Sequence, residues 1–157
     1  MAEYTAELYV HAIAIESEAA ARYAQLARAM ADQGNVEAGA VFALLAAAES
    51  RHLDVLQHRA HGLTLPRLDA DYTWREREAP ETVTLDRRGA PVTPLRALAL
   101  ALDAELRARA FFEQAARVCG DEETRALALE MAAEEAEHAV LIEGMIARAQ
   151  LRSGITQ

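Results

Sequence analysis

Two copies of one pattern constrain this chain more than any other feature. Glu49-Ser-Arg-His52 and Glu135-Ala-Glu-His138 each set a carboxylate and an imidazole three residues apart, after a largely apolar, alanine-rich stretch. Each is preceded by a segment in which an acid is followed seven residues later by an aromatic: Glu16 and Tyr23, then Glu105 and Phe112. Residues three apart share one face of a helix. The chain therefore reads as two copies of one helical hairpin.

The remaining punctuation agrees. A first helix is predicted from about Ala2 to Asp32, with Tyr9, Ala12, Ile13, Ala19, Ala20, Tyr23 and Ala27 near helical spacing and no Gly or Pro inside. Gly34-Asn35 gives a turn and an N-cap for a second helix, which runs to about His61 with Gly62 as its C′ residue. Thr93-Pro94 starts a third helix, to about Cys119. Gly120-Asp121 starts a fourth, from about Glu122 to Ala149, with Gly154 ending the order. Residues 63–93 break periodicity at Pro66, Pro80, Gly89 and Pro91; Thr82 to Leu85 extends briefly and Trp74 anchors the segment on the bundle. The expected fold is all-α, a single four-helix domain over residues 1–157 in which two hairpins are joined by a long crossover at about 63–93. With the hairpins up-down and down-up, helices two and three run parallel and the crossover must travel about 39 Å. Its 31 residues reach that distance easily.

Counting turns places the acids. Glu16 lies 18 residues before Gly34 and Glu49 lies 15 after it; Glu105 lies 15 before Gly120 and Glu135 lies 15 after it. At about 1.5 Å per residue, all four stand near mid-helix at one height. Stacking the hairpins brings four carboxylates and two imidazoles into one layer. Four buried carboxylates without compensation would have to protonate. Two divalent cations cancel four negative charges, and a mixed carboxylate and imidazole set suits iron or manganese. Glu134, Glu135 and Glu137 crowd the fourth helix, and the repeat selects Glu135 because it matches the Glu49–His52 spacing. Tyr23 is expected in the core, hydrogen-bonding a ligand carboxylate from behind; Tyr9, two turns before Glu16, is a weaker case of the same role. His11, His58 and His61 read as surface or helix-end residues, Arg51, Arg107 and Arg109 as surface partners of acids, and Cys119 as packing.

Composition excludes other classes. The net charge of -9 argues against a nucleic-acid partner, which would require a basic stripe. No apolar run reaches the roughly 18 residues of a membrane span, and the N-terminus has no basic leader. One cysteine allows neither an intrachain disulfide nor a four-cysteine metal site, so a reducing cytoplasm is the expected compartment.

Glu16 with Tyr23, Glu49-x-x-His52, Glu105 with Phe112 and Glu135-x-x-His138 together resemble the rubrerythrin-like branch of the ferritin superfamily, over both hairpins. The resemblance implies a ferritin-like bundle holding two iron ions, with manganese as the alternative metal. It implies that Glu49 and Glu135 bridge the metals, that Glu16 and Glu105 are terminal ligands, and that His52 and His138 each bind one ion. The implied function is a di-iron oxidoreductase of peroxidase or ferroxidase type, reacting with O₂ or H₂O₂. The alternative is a non-catalytic iron-binding, storage or metal-stabilised interaction module. Three departures are visible. Paired Cys-x-x-Cys motifs of a rubredoxin domain are missing, so an external electron-donor protein is expected. Ala108 stands where the family carries an extra carboxylate one turn after the third-helix ligand. Phe112 stands where the repeat puts tyrosine. Long alanine-rich helices make a homodimer the expected assembly.

Overall fold

The computed structural model describes residues 2–67 and 90–155. These form four helices: α1 (Ala2–Asp32), α2 (Val36–Arg59), α3 (Pro94–Val118) and α4 (Glu122–Ile155). The middle of the crossover, including Trp74, Pro80, Gly89 and the Thr82–Leu85 stretch, lies outside the described residues.

The helix starts follow local chemistry. The Asn35 side chain accepts the Ala38 N–H at 3.0 Å and caps α2. Gly34 before it adopts φ +74°, where a side chain would be strained. Thr93 accepts the Arg96 N–H at 3.3 Å, with Pro94 in the first turn of α3. Asp121 accepts the Thr124 N–H at 2.8 Å at the start of α4.

The ends depart from expectation twice. Helix α2 stops at Arg59 with Ala60 as its cap, so Gly62 at φ +87° lies one position later than predicted. Helix α4 does not stop near Ala149 but runs through Gly154. Nothing after Ala149 lacks a backbone N–H, and a glycine in a last turn costs only about 1 kcal/mol. The extension is tied down by Arg152 and by Arg148, which reach Glu37 at the start of α2; the Arg148 contact is 3.7 Å.

Contacts at the two ends fix the topology. Thr5 in α1 and Thr124 in α4 share a 2.9 Å hydrogen bond between their hydroxyls, so α1 and α4 begin at one end. At the other end Asn35, Thr93 and Arg152 line one cavity, and the Gln33 side chain donates to the Val92 carbonyl at 3.1 Å. Helices α2 and α3 therefore start together and run parallel. Within the first hairpin Gly39 allows close approach: a Cβ there would lie 3.3 Å from the Ala27 carbonyl oxygen.

The core is split. One apolar cluster holds Leu8, Ile15, Leu56, Phe112 and Met131; the other holds Leu26, Met30, Phe42, Leu45, Leu98 and Ile142. Fully burying side chains of this size stabilises by about 1.5–3 kcal/mol each. Between the clusters, every helix turns a polar residue inward.

Candidate metal centre

Each inward polar residue sits where its helix crosses the gap. Glu16 follows Ile15 of one cluster and precedes Ala19 of the other; Glu49 lies between Leu45 and Leu56. Glu105 lies between Ala101 and Ala108, and Glu135 between Ala132 and Ile142. The four are 0–2% exposed, whereas Glu134 keeps a third of its side chain in solvent. The helix-four register is thereby settled: Glu135 points in.

The two imidazoles close the layer from the α2–α4 side. Their rings stack at 5.4 Å with an 11° tilt, and both turn Nδ1 toward the acids. His52 Nδ1 lies 3.4 Å from Glu49 and 3.6 Å from Glu16. His138 Nδ1 lies 2.9 Å from Glu49, 3.3 Å from Glu105 and 3.8 Å from Glu135. The potential ligand atoms fall into two overlapping sets. Glu49, Glu105, Glu135 and His138 form one; Glu16, Glu49 and His52 form the other. Within each, the ligand atoms lie within 4.8 Å of one another, and Glu49 belongs to both.

These atoms converge without aligned hydrogen bonds. Both oxygens of Glu16 and of Glu49, Glu105 Oε2 and the Nδ1 atoms of both histidines are buried with no aligned hydrogen-bond partner. Buried polar atoms are normally satisfied, because leaving one unpaired costs about 1–3 kcal/mol. A cluster of oxygens and imidazole nitrogens that face each other at ion-pair distance without aligned hydrogen bonds suits a cation-binding layer. The residues present therefore fit a metal pair.

Protons take the cations' place otherwise. Burial pushes the Glu16 carboxyl up to about 12, reinforced by Glu49 and Glu135. Burial also pushes Glu135 up to about 9, against the pull of His138 and with the push of Glu105. Glu49 goes the other way: burial opposes its ionisation, but His138 and His52 at its oxygens hold it well below the usual carboxylate range. Burial would lower His138, yet the carboxylates of Glu105, Glu135 and Glu49 outweigh it and push the imidazole up to about 12. The metal-free layer thus holds protons on Glu16, Glu135 and His138, and a cation must displace them.

Among the described residues, Tyr23 and Glu134 stand behind this layer. The Tyr23 hydroxyl donates to Glu105 Oε1, across from α1 to α3, while its ring stacks on Phe42 at 6.0 Å. Glu134 Oε2 lies 3.5 Å from His52 Nε2, on the side of the ring away from the acids. Sequence reasoning weighed Glu134 only as a rival ligand. The signal available was that its repeat counterpart is Ala48. Tyr9, the other tyrosine singled out, feels the charges of Arg59, Glu123 and Glu130. Tyr9 is buried in the apolar cluster on one side of the layer.

The other residues singled out lie apart. His11 is half-buried, packs edge-on against Phe111 at 5.9 Å, and burial lowers its pKa. His58, His61 and Arg51 are exposed. Arg107 pairs with Asp103 and Arg109 with Glu113, each at 2.8 Å. Cys119 is buried at the end of α3. Among the described residues no helix is long and apolar enough to cross a membrane.

Comparison with known proteins extends the geometry. A family model described as Rubrerythrin matches residues 7–142, which include all six inward side chains. The crystal structure of an uncharacterized conserved protein from Magnetospirillum magnetotacticum MS-1 is similar over 94% of each chain, with 36% sequence identity and a TM-score of 0.77. No curated protein shows significant similarity to the chain.

Proposed function

Because the chain belongs to the rubrerythrin family, with its ferritin-like four-helix bundle, we propose that it is a di-iron carboxylate oxidoreductase reacting with O₂ or H₂O₂. The observation that carries the reading is the pair of overlapping ligand sets with Glu49 in common. Glu49 and Glu135 would bridge two ions: Glu49 belongs to both sets, and Glu135 belongs to one and also acts on Glu16 of the other. Glu16 and His52 would complete one position, Glu105 and His138 the other. When bound, the metals supply the electrons and Lewis acidity for reducing an oxygen species.

The chain's own residues do the rest. The four acids bring four negative charges, which two divalent ions neutralise inside a low-dielectric core. The apolar clusters on either side exclude water from the carboxylates. The imidazoles, 12–15% exposed, leave the α2–α4 face as the way in for a small oxidant. Glu16, Glu135 and His138 would give up the protons they hold in the metal-free layer when cations bind. With one cysteine in the 157 residues, no paired-thiolate electron centre lies within them, and reduction requires a donor protein. The proposed setting is the cytoplasm. The proposed assembly is a homodimer, consistent with the exposed Leu129, Val140 and Leu151 along α4.

A specific observation favours a second reading, iron binding without turnover. Ala108 is buried in the apolar cluster and brings no further carboxylate to the layer. Anaerobic titration with Fe(II), then repeated peroxide additions with an external reductant, separates the two. Two irons per chain and many peroxide molecules consumed per site support the oxidoreductase. Two irons and a single oxidation support the binding module. No tight iron refutes both.

A further inference from the structure

The repeat relates Glu16 to Glu105, Tyr23 to Phe112, Glu49 to Glu135, His52 to His138 and Ala48 to Glu134. The inward residues obey it. Two groups behind them do not, and they break it on opposite sides.

Tyr23 donates to Glu105 Oε1 and leaves Oε2 facing His138 at 3.3 Å. Its counterpart Phe112 is fully buried but carries no hydroxyl, and both oxygens of Glu16 lack a hydrogen-bond partner. Conversely, Glu134 stands 3.5 Å from His52 Nε2, whereas its counterpart beside the α2 motif is Ala48. A carboxylate at Nε2 selects the tautomer whose proton sits there. When an ion is bound, that leaves the Nδ1 lone pair free for the ion held with Glu16 and Glu49 and makes that nitrogen a stronger ligand donor. A phenol on one carboxylate oxygen fixes the carboxylate's rotation and leaves the other oxygen to coordinate. Among the described residues, each set therefore has one supported ligand, of a different kind and held by the opposite hairpin.

We propose that the two metal positions are chemically inequivalent. Glu134 positions His52 for the ion held with Glu16 and Glu49. Tyr23 positions Glu105 for the ion held with Glu49, Glu135 and His138. Each acts on one ion and not on the other. This rests on the two-ion reading above and adds to it the assignment of one outer residue to each ion.

Anaerobic titration of the full chain with Co(II), followed by its visible absorption, reads binding without any turnover. The unaltered chain is expected to bind two ions in separable steps. Glu134→Ala is expected to weaken one step by about 10–100-fold and leave the other within about twofold. Tyr23→Phe is expected to weaken the other step, and the double variant both. Glu134→Gln keeps an acceptor oxygen for Nε2–H and is expected to recover much of the loss. Melting of the metal-free variants, followed by circular dichroism, checks the fold. Glu134 is partly exposed, so its variants test the idea even if Tyr23→Phe unfolds. The proposal is overturned if both variants weaken the same step, if Glu134→Ala moves neither step or both equally, or if Glu134→Gln recovers nothing. Fewer than two Co(II) ions on the unaltered chain would instead defeat the two-ion reading itself.

Discussion

The two hairpins carry the same inward residues at the same heights, yet their surroundings differ. In α1–α2 the lone acid, Glu16, has two unpartnered oxygens and burial drives it to hold its proton; in α3–α4 the equivalent Glu105 receives a phenol. The imidazole of α2 has a carboxylate behind it, while the residue at the same place beside α2's own motif is alanine. Residues that must meet at the bundle's centre are held to one pattern by the geometry of four helices. Residues one step outward face different neighbours on each side and are free to diverge. A repeat in sequence is thus a guide to the ligand layer and a poor guide to what tunes it.

The largest expected effect comes from removing what the halves share. Glu49→Ala should abolish tight loading of both metals, a drop from two ions per chain to none by metal analysis. Glu16→Ala should cost one ion only. If Glu49→Ala also costs only one, the shared role is wrong and the halves are separate sites.

Next is pH. Glu16, Glu135 and His138 hold protons in the folded metal-free chain above the pH at which the unfolded chain releases them. Wherever the folded state binds more protons, stability falls as pH rises. The metal-free melting temperature should therefore drop between about pH 5 and pH 9. Glu49, shifted the other way, contributes stability that is lost only on acidification below its ordinary range. Metal binding displaces these protons, so affinity for Co(II) should rise over the same window and the loaded protein should not lose stability. A metal-free melting temperature that climbs with pH would contradict the assignment of protons.

A smaller effect separates the lone acids. Glu16→Gln removes an acid that folding forces to hold its proton and should stabilise the metal-free fold at neutral pH by about 1–2 kcal/mol in urea unfolding. Glu105→Gln, which keeps its tyrosine neighbour, should gain less. Equal gains would mean that Tyr23 does not distinguish the halves. The smallest change is Phe112→Tyr, which restores the repeat's phenol near Glu16. It should alter stability by no more than about 1 kcal/mol and narrow the affinity gap between the two Co(II) steps. A wider gap would count against the role given to Tyr23.

Much of this was legible in the chain. Asn35, Thr93-Pro94 and Gly120-Asp121 announce their helices because caps act locally. The common height of the acids follows from counting residues, since rise per residue is fixed. Matching one motif to the other was enough to separate Glu135 from Glu134. What resisted reading depends on contacts between hairpins. That Tyr23 serves Glu105 rather than its own hairpin, and that Glu134 meets His52, depends on how far each helix is rotated in the bundle. No local pattern encodes that rotation. The run of α4 through Gly154 likewise depends on Glu37, more than a hundred residues away.

The central claim is that six side chains from four helices hold two ions at one level. Crystallography of the protein loaded anaerobically with Fe(II), with anomalous scattering at the iron edge, tests it most directly. The account predicts two iron peaks about 3.5–4 Å apart between Glu49 and Glu135. One peak, no peak, or iron bound to exposed acids outside this layer would contradict it.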